Sequence, residues 1–151
     1  MKRCIQTLSI ICLALYFCIG TALAAVPVPH QTKETIVFDD GTYLEIVTTV
    51  EPSLTQSKTK KASKEYTYRL ISSGEKVCTY ILYGTFSYNG SSSEAISATA
   101  KATVYKSGWT LESHDEYCSG KSAYGTAVFS GPSGDKTLGG SITCDKNGNI
   151  S

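Results

Sequence analysis

The residues with the most evident chemistry sit together at His114-Asp115-Glu116-Tyr117-Cys118. In an extended strand alternate side chains share a face, which puts His114, Glu116 and Cys118 on one side. A thiol beside an imidazole makes a nucleophile, and histidine with carboxylates and thiols binds zinc. Either chemistry needs more than this span supplies. The other histidine, His30, lies beside two prolines near the N-terminus, and no second cluster offers an oxyanion hole or further ligands. The span therefore reads first as a polar strand end and turn, with no catalytic residue, no metal and no cofactor. The competing reading is a small secreted thiol or metal hydrolase, or a toxin-like protein, that uses the His114–Cys118 region.

Two weaker signals dissolve on inspection. Asp145-Lys146-Asn147-Gly148-Asn149 has some of a calcium loop's residues but lacks the acidic spacing and the closing glutamate. Gly139-Gly140 and Gly131-Pro132-Ser133-Gly134 precede no helix, so they cannot cradle phosphate and read as a strand bulge and a turn. The aromatic residues remain. Nine of the ten tyrosines and the one tryptophan lie after Ala24. Such rings stack on glycans or peptides, and they also build cores. Tyr66, Tyr68, Tyr80 and Tyr88 are expected to pack, while Tyr83, Tyr105 and Trp109 are the candidate ligand-binding residues.

These residues need elements to position them, and the chain supplies strands. Lys76–Tyr105 holds two runs of β-formers around Asn89-Gly90, a strong hairpin signal. Cys78, Tyr80, Leu82, Gly84, Phe86 and Tyr88 alternate onto one face. Asp40-Gly41 marks a second hairpin, between Ile36-Val37-Phe38 and Tyr43–Val47. Glu65–Ile71 places Tyr66, Tyr68 and Leu70 on one face. Glu94–Tyr105 carries Ala95, Ala98, Ala100 and Ala102, small enough to let a facing sheet come close. Trp109–Glu112, Lys121–Ser130 and Lys136–Asp145 complete the set, with no sustained helical period anywhere. About eight short strands with regular turns predict an all-β fold, an antiparallel immunoglobulin-like sandwich of two layers.

Around this single β domain, 34–151, lie three other segments. Residues 1–24 read as a secretory signal peptide. Lys2-Arg3 precede the apolar run Ile5–Ile19, and Ala22-Leu23-Ala24 offers small residues for cleavage after Ala24 or Ala25. Residues 25–33 read as an extended tail. Residues 51–64, with Lys58, Lys60, Lys61 and Lys64, hold too few apolar side chains to offset ordering entropy and read as a flexible basic linker. No second apolar segment follows the signal, so the expected product is secreted, extracellular and free of the membrane. Without Lys2 and Arg3 there are 12 basic residues against 13 acidic ones. That balance excludes a nucleic-acid partner, which calls for a basic excess.

Three cysteines, Cys78, Cys118 and Cys144, remain after the signal. Pairing the last two long strands around Gly131-Pro132 brings Cys144 near Ala123, at the end where Cys118 turns. The expected disulfide is Cys118–Cys144, leaving Cys78 a buried thiol. Such a loop of about 27 residues would add about 3.5 kcal/mol in the chain-entropy model.

Several of these stretches, taken in order, resemble a family of small secreted proteins of Gram-positive bacteria known only as a domain of unknown function. They are Phe38-Asp39-Asp40-Gly41-Thr42-Tyr43, Tyr66-Thr67-Tyr68, Gly84-Thr85-Phe86-Ser87-Tyr88-Asn89-Gly90, Trp109, and Ser141-Ile142-Thr143-Cys144-Asp145-Lys146-Asn147-Gly148-Asn149-Ile150-Ser151. Members often carry a cysteine soon after the Asn-Gly turn, and Ser91–Ile96 has none. The resemblance implies no activity and no site. The reading that follows is a secreted, non-enzymatic β-sandwich, a binding or interaction module at or outside the cell surface. Its partner is an extracellular polymer or protein of unknown identity.

Overall fold

The computed structural model of the chain describes residues 28–53 and 58–151. The expected signal peptide lies outside them. Eight strands run through the described residues: β1 His30–Val37, β2 Thr42–Val50, β3 Thr59–Leu70, β4 Lys76–Tyr88, β5 Ser93–Val104, β6 Thr110–Ser119, β7 Ser122–Ser130 and β8 Lys136–Thr143. All pairings are antiparallel, in a five-stranded sheet ordered β1-β2-β3-β4-β5 and a three-stranded sheet ordered β6-β7-β8. The fold is the expected all-β, two-layer sandwich. Each sheet is a simple meander, because the connections within it are too short to reach past a neighbouring strand.

The alternation in β4 decides what lies between the layers. Cys78, Tyr80, Leu82 and Phe86 are buried, together with Tyr66 and Tyr68 of β3. Ala123, Ala127 and Phe129 of β7 and Leu138 and Ile142 of β8 meet them from the smaller sheet. Ala95, Ala98, Ala100 and Ala102 of β5 pack against this core, as their size suggested. The Asn89-Gly90 link is longer than a two-residue turn. Asn89 Oδ1 accepts the N–H groups of Ser91 and Ser92 at 2.9 Å each, and Gly90 supplies the positive φ of 87°.

Two segments are shorter than their composition implied. His30–Lys33, expected in the extended tail, belongs to β1, and Thr59–Lys64, expected in the flexible linker, is the first half of β3. The reason is backbone pairing, which needs no apolar side chain. Lys60, Lys61 and Lys64 lie opposite Phe86, Thr85 and Leu82 of β4, and Ala62 between them is buried. A long β4 offers hydrogen bonds along its whole length, and the lysines project from a strand that β4 holds.

Candidate ligand-binding face

The His114–Cys118 span is the second half of β6, an edge strand of the three-stranded sheet, and ends one residue before the strand closes at Ser119. His114, Glu116 and Cys118 do share a face, opposite Ala127, Gly125 and Ala123 of β7. Tyr80 reaches across the sandwich from β4, and its hydroxyl donates to Glu116 Oε1 at 2.8 Å. His114 Nδ1 lies 3.0 Å from the same oxygen. A Cβ on Gly125 would collide with the Tyr80 hydroxyl, so glycine makes room for this link. Burial, then the bond to Glu116, pushes the Tyr80 hydroxyl far above its ordinary pKa. His114 and Cys118 stand four residues apart on one strand, about 13 Å, so no thiol–imidazole pair forms. Among the described residues no group of three or more His, Cys, Asp and Glu gathers to hold a metal.

The expected Cys118–Cys144 disulfide is absent, and all three cysteines are free. The two residues do lie at the same end of the sheet, but β7 separates them. Cys118 is on β6 opposite Ala123, and Cys144 follows β8, where its N–H donates to the Lys121 carbonyl at 3.0 Å. Two strand spacings alone separate their Cα atoms by about 10 Å, and the offset along the strand from Ala123 to Lys121 adds to that, well beyond the reach of about 7 Å for a disulfide. Cys78 is the buried thiol expected, and burial pushes its pKa up to about 12.

The three candidate aromatic residues do not converge. Trp109 is only 9 % exposed and packs on the Tyr68 ring at 5.7 Å, so its face is closed to ligands. Tyr83 is 43 % exposed on the outer side of the five-stranded sheet, opposite Ser63 and Thr99. Tyr105 lies beyond the end of β5 with Lys76 Nζ 5.7 Å from its ring centre. The six residues from Thr99 to Tyr105 span about 20 Å of strand, so Tyr83 and Tyr105 serve no common site.

The surface that does gather aromatic and polar groups is the outer face of the three-stranded sheet. Its side chains fall in rows across β6, β7 and β8, fixed by the register: Ser119, Ser122 and Thr143; Tyr117, Tyr124 and Ser141; Asp115, Thr126 and Gly139; Ser113, Val128 and Thr137. Tyr117 and Tyr124 stack with ring centres 5.0 Å apart and planes 12° from parallel. Tyr117 is 53 % exposed. Beside the pair lies an open groove of about 240 Å³, lined by Asp115, Tyr117, Tyr124, Gly125, Thr126, Gly140 and Ser141. Gly139 has φ 146°, and a Cβ there would strike the Gly125 carbonyl oxygen. The row of Asp115 and Thr126 therefore ends in bare backbone. Reading the sequence singled out neither tyrosine of this pair as a ligand contact. The signal available was the Ser119-Gly120 turn, which sets Tyr117 opposite Tyr124 once both flanking segments are recognised as strands.

The fold and this face define an all-β, two-sheet sandwich carrying one aromatic pair on an outer surface. No known family model, curated protein or solved structure matches the chain.

Proposed function

We infer that the chain is a secreted, non-enzymatic binding module, acting at or outside the cell surface through the outer face of its three-stranded sheet. The observation that carries this reading is the stacked Tyr117–Tyr124 pair beside a groove on a face whose other side chains are mostly serine and threonine. A ring as exposed as Tyr117 leaves apolar area in water that a partner would cover. The sequence features of residues 1–24 support export, and the balanced charge supports a partner other than nucleic acid.

The test is a binding assay with the exported chain, Ala25 onward, against purified cell wall and extracellular protein. Tyr117→Ala should weaken saturable binding about tenfold, while Tyr83→Ala, on the opposite layer, should leave it intact. Binding lost in the Tyr83 variant and kept in the Tyr117 variant would place the site on the other sheet.

A further inference from the structure

We propose that the ligand of this face is a neutral polysaccharide, with one sugar ring seated in the Tyr117–Tyr124 groove. This rests on the reading of the face as a binding surface and adds the chemical class of what it binds. The electrical character of the face is the first argument. None of the outward positions of β6, β7 and β8 is a lysine or arginine, and the charges on this face are acidic: Asp115, and Glu112 at the β6 bulge, whose carboxylate accepts from the outward Thr110 hydroxyl at 2.7 Å. An anionic polymer would meet carboxylates at these positions, and among the described residues the one ammonium bonded to a groove residue, that of Lys64 on β3, is turned to the Ser141 carbonyl oxygen at 3.5 Å.

Hydrogen-bonding chemistry is the second argument. Thr126 and Ser141 line the groove with hydroxyls, which both donate and accept, and Asp115 only accepts. Among the described residues the Asp115 carboxylate makes no hydrogen bond or ion pair, so its acceptor sites are open to a ligand hydroxyl. A sugar ring presents apolar C–H groups on its faces and hydroxyls around its rim. It therefore matches a tyrosine wall on one side and hydroxyl and carboxylate groups on the other. A protein partner wants a broader apolar centre than two rings.

Extent is the third argument. The groove, at about 240 Å³, falls below the ~300–1,000 Å³ typical of whole-ligand pockets, which suits one ring and not a whole small molecule. The polar rows continue beyond it on both sides, with Ser119 and Thr143 at one end, where buried Ser122 bonds the Thr143 hydroxyl at 2.8 Å, and Ser113 and Thr137 at the other. Four rows along the strands cover about 20 Å, room for the sugars that follow in a chain.

The experiment is sedimentation of the exported chain with microcrystalline cellulose, chitin and insoluble β-1,3-glucan, and with dextran sulfate beads and chitosan as charged probes. The expected result is saturable pelleting with at least one neutral polymer, changing little between about 0.1 and 1 M NaCl. Tyr117→Ala should weaken it about tenfold. Thr126→Trp, which fills the groove at an exposed position and leaves the tyrosines in place, should weaken it as well, and Tyr83→Ala should not. Circular dichroism verifies that each variant keeps its strands. Salt-sensitive binding to dextran sulfate or chitosan alone, or neutral binding indifferent to both groove variants, overturns the proposal. Tyr117-dependent binding to a protein overturns the ligand class and leaves the binding face standing. Binding to wall, protein and polymers that never depends on Tyr117 overturns the face itself.

Discussion

The Tyr80 hydroxyl and the Glu116 carboxylate meet at 2.8 Å between the two sheets, directly over the backbone of Gly125. Tyr66, opposite Tyr80 on β3, stands likewise over Gly140, which pairs with Gly125. Two long side chains of one sheet thus fit against two missing side chains of the other. The sandwich closes because both halves of this match are present.

Removing either half should be costly. Gly125→Ala puts a methyl group against the Tyr80 hydroxyl and Leu82, an overpacking expected to cost about 1–3 kcal/mol. Tyr80→Phe keeps the ring and removes the donor to Glu116, at a cost of about 1–2 kcal/mol. Urea unfolding of both variants checks this. If the relation is as described, Tyr80→Phe should also relieve part of the Gly125→Ala penalty, because the colliding oxygen is gone.

Asp40 ties the hairpin between β1 and β2 to the other sheet. Lys136 Nζ lies 2.8 Å from Asp40 Oδ2, the Thr42 hydroxyl donates to Oδ1, and the Tyr68 hydroxyl donates to Oδ2 at 3.2 Å. Led by the hydrogen bond from Lys136, these hold the Asp40 pKa at about 2, below its ordinary 3.8. A carboxylate whose pKa falls on folding stabilises the fold above its unfolded value. That stability is lost as pH falls through the folded value. Stability should therefore decline between pH 3.8 and about 2, and Asp40→Asn should flatten that part of the curve, as read by thermal melts across the range.

The three cysteines should differ sharply toward a thiol reagent. Cys118 is exposed, while Cys78 and Cys144 are buried and burial raises both of their pKa values. Native exported chain should react quickly at one thiol, and at all three only after unfolding. Cys118→Ser should abolish the fast phase. A native chain with no reactive thiol until reductant is added would show a disulfide and contradict the arrangement.

Trp109 reports on the core because it is the one tryptophan. It lies against Tyr68, and a Cβ on Gly131 would collide with its ring. Its emission should be blue-shifted in the native chain and move red on unfolding. Trp109→Ala should cost about 3–5 kcal/mol without weakening the binding that depends on Tyr117.

Much of the local structure is legible in the residues alone. Alternation in Cys78–Tyr88 and in Tyr66–Leu70 reports which side chains share a face, because strand geometry has a period of two whatever the strand pairs with. Asp40-Gly41 and Asn89-Gly90 mark reversals for an equally local reason, the positive φ that glycine accepts. Hence the all-β class, the buried faces of β3 and β4 and the buried Cys78 follow without any tertiary information.

What tertiary structure alone decided depends on which strand lies beside which. The lysines of Thr59–Lys64 have no apolar signal, and they form a strand because β4 offers its full edge. Cys118 and Cys144 reach the same end of the sheet and still do not bond, because β7 passes between them. Trp109 has the composition of a ligand contact and becomes core, because Tyr68 and Gly131 close over it. Tyr117 and Tyr124, seven positions apart in the chain, become one stacked pair only through the register of β6 on β7. Period-two patterning specifies faces, but register and the docking of two sheets specify neighbours, and it is neighbours that make the candidate site.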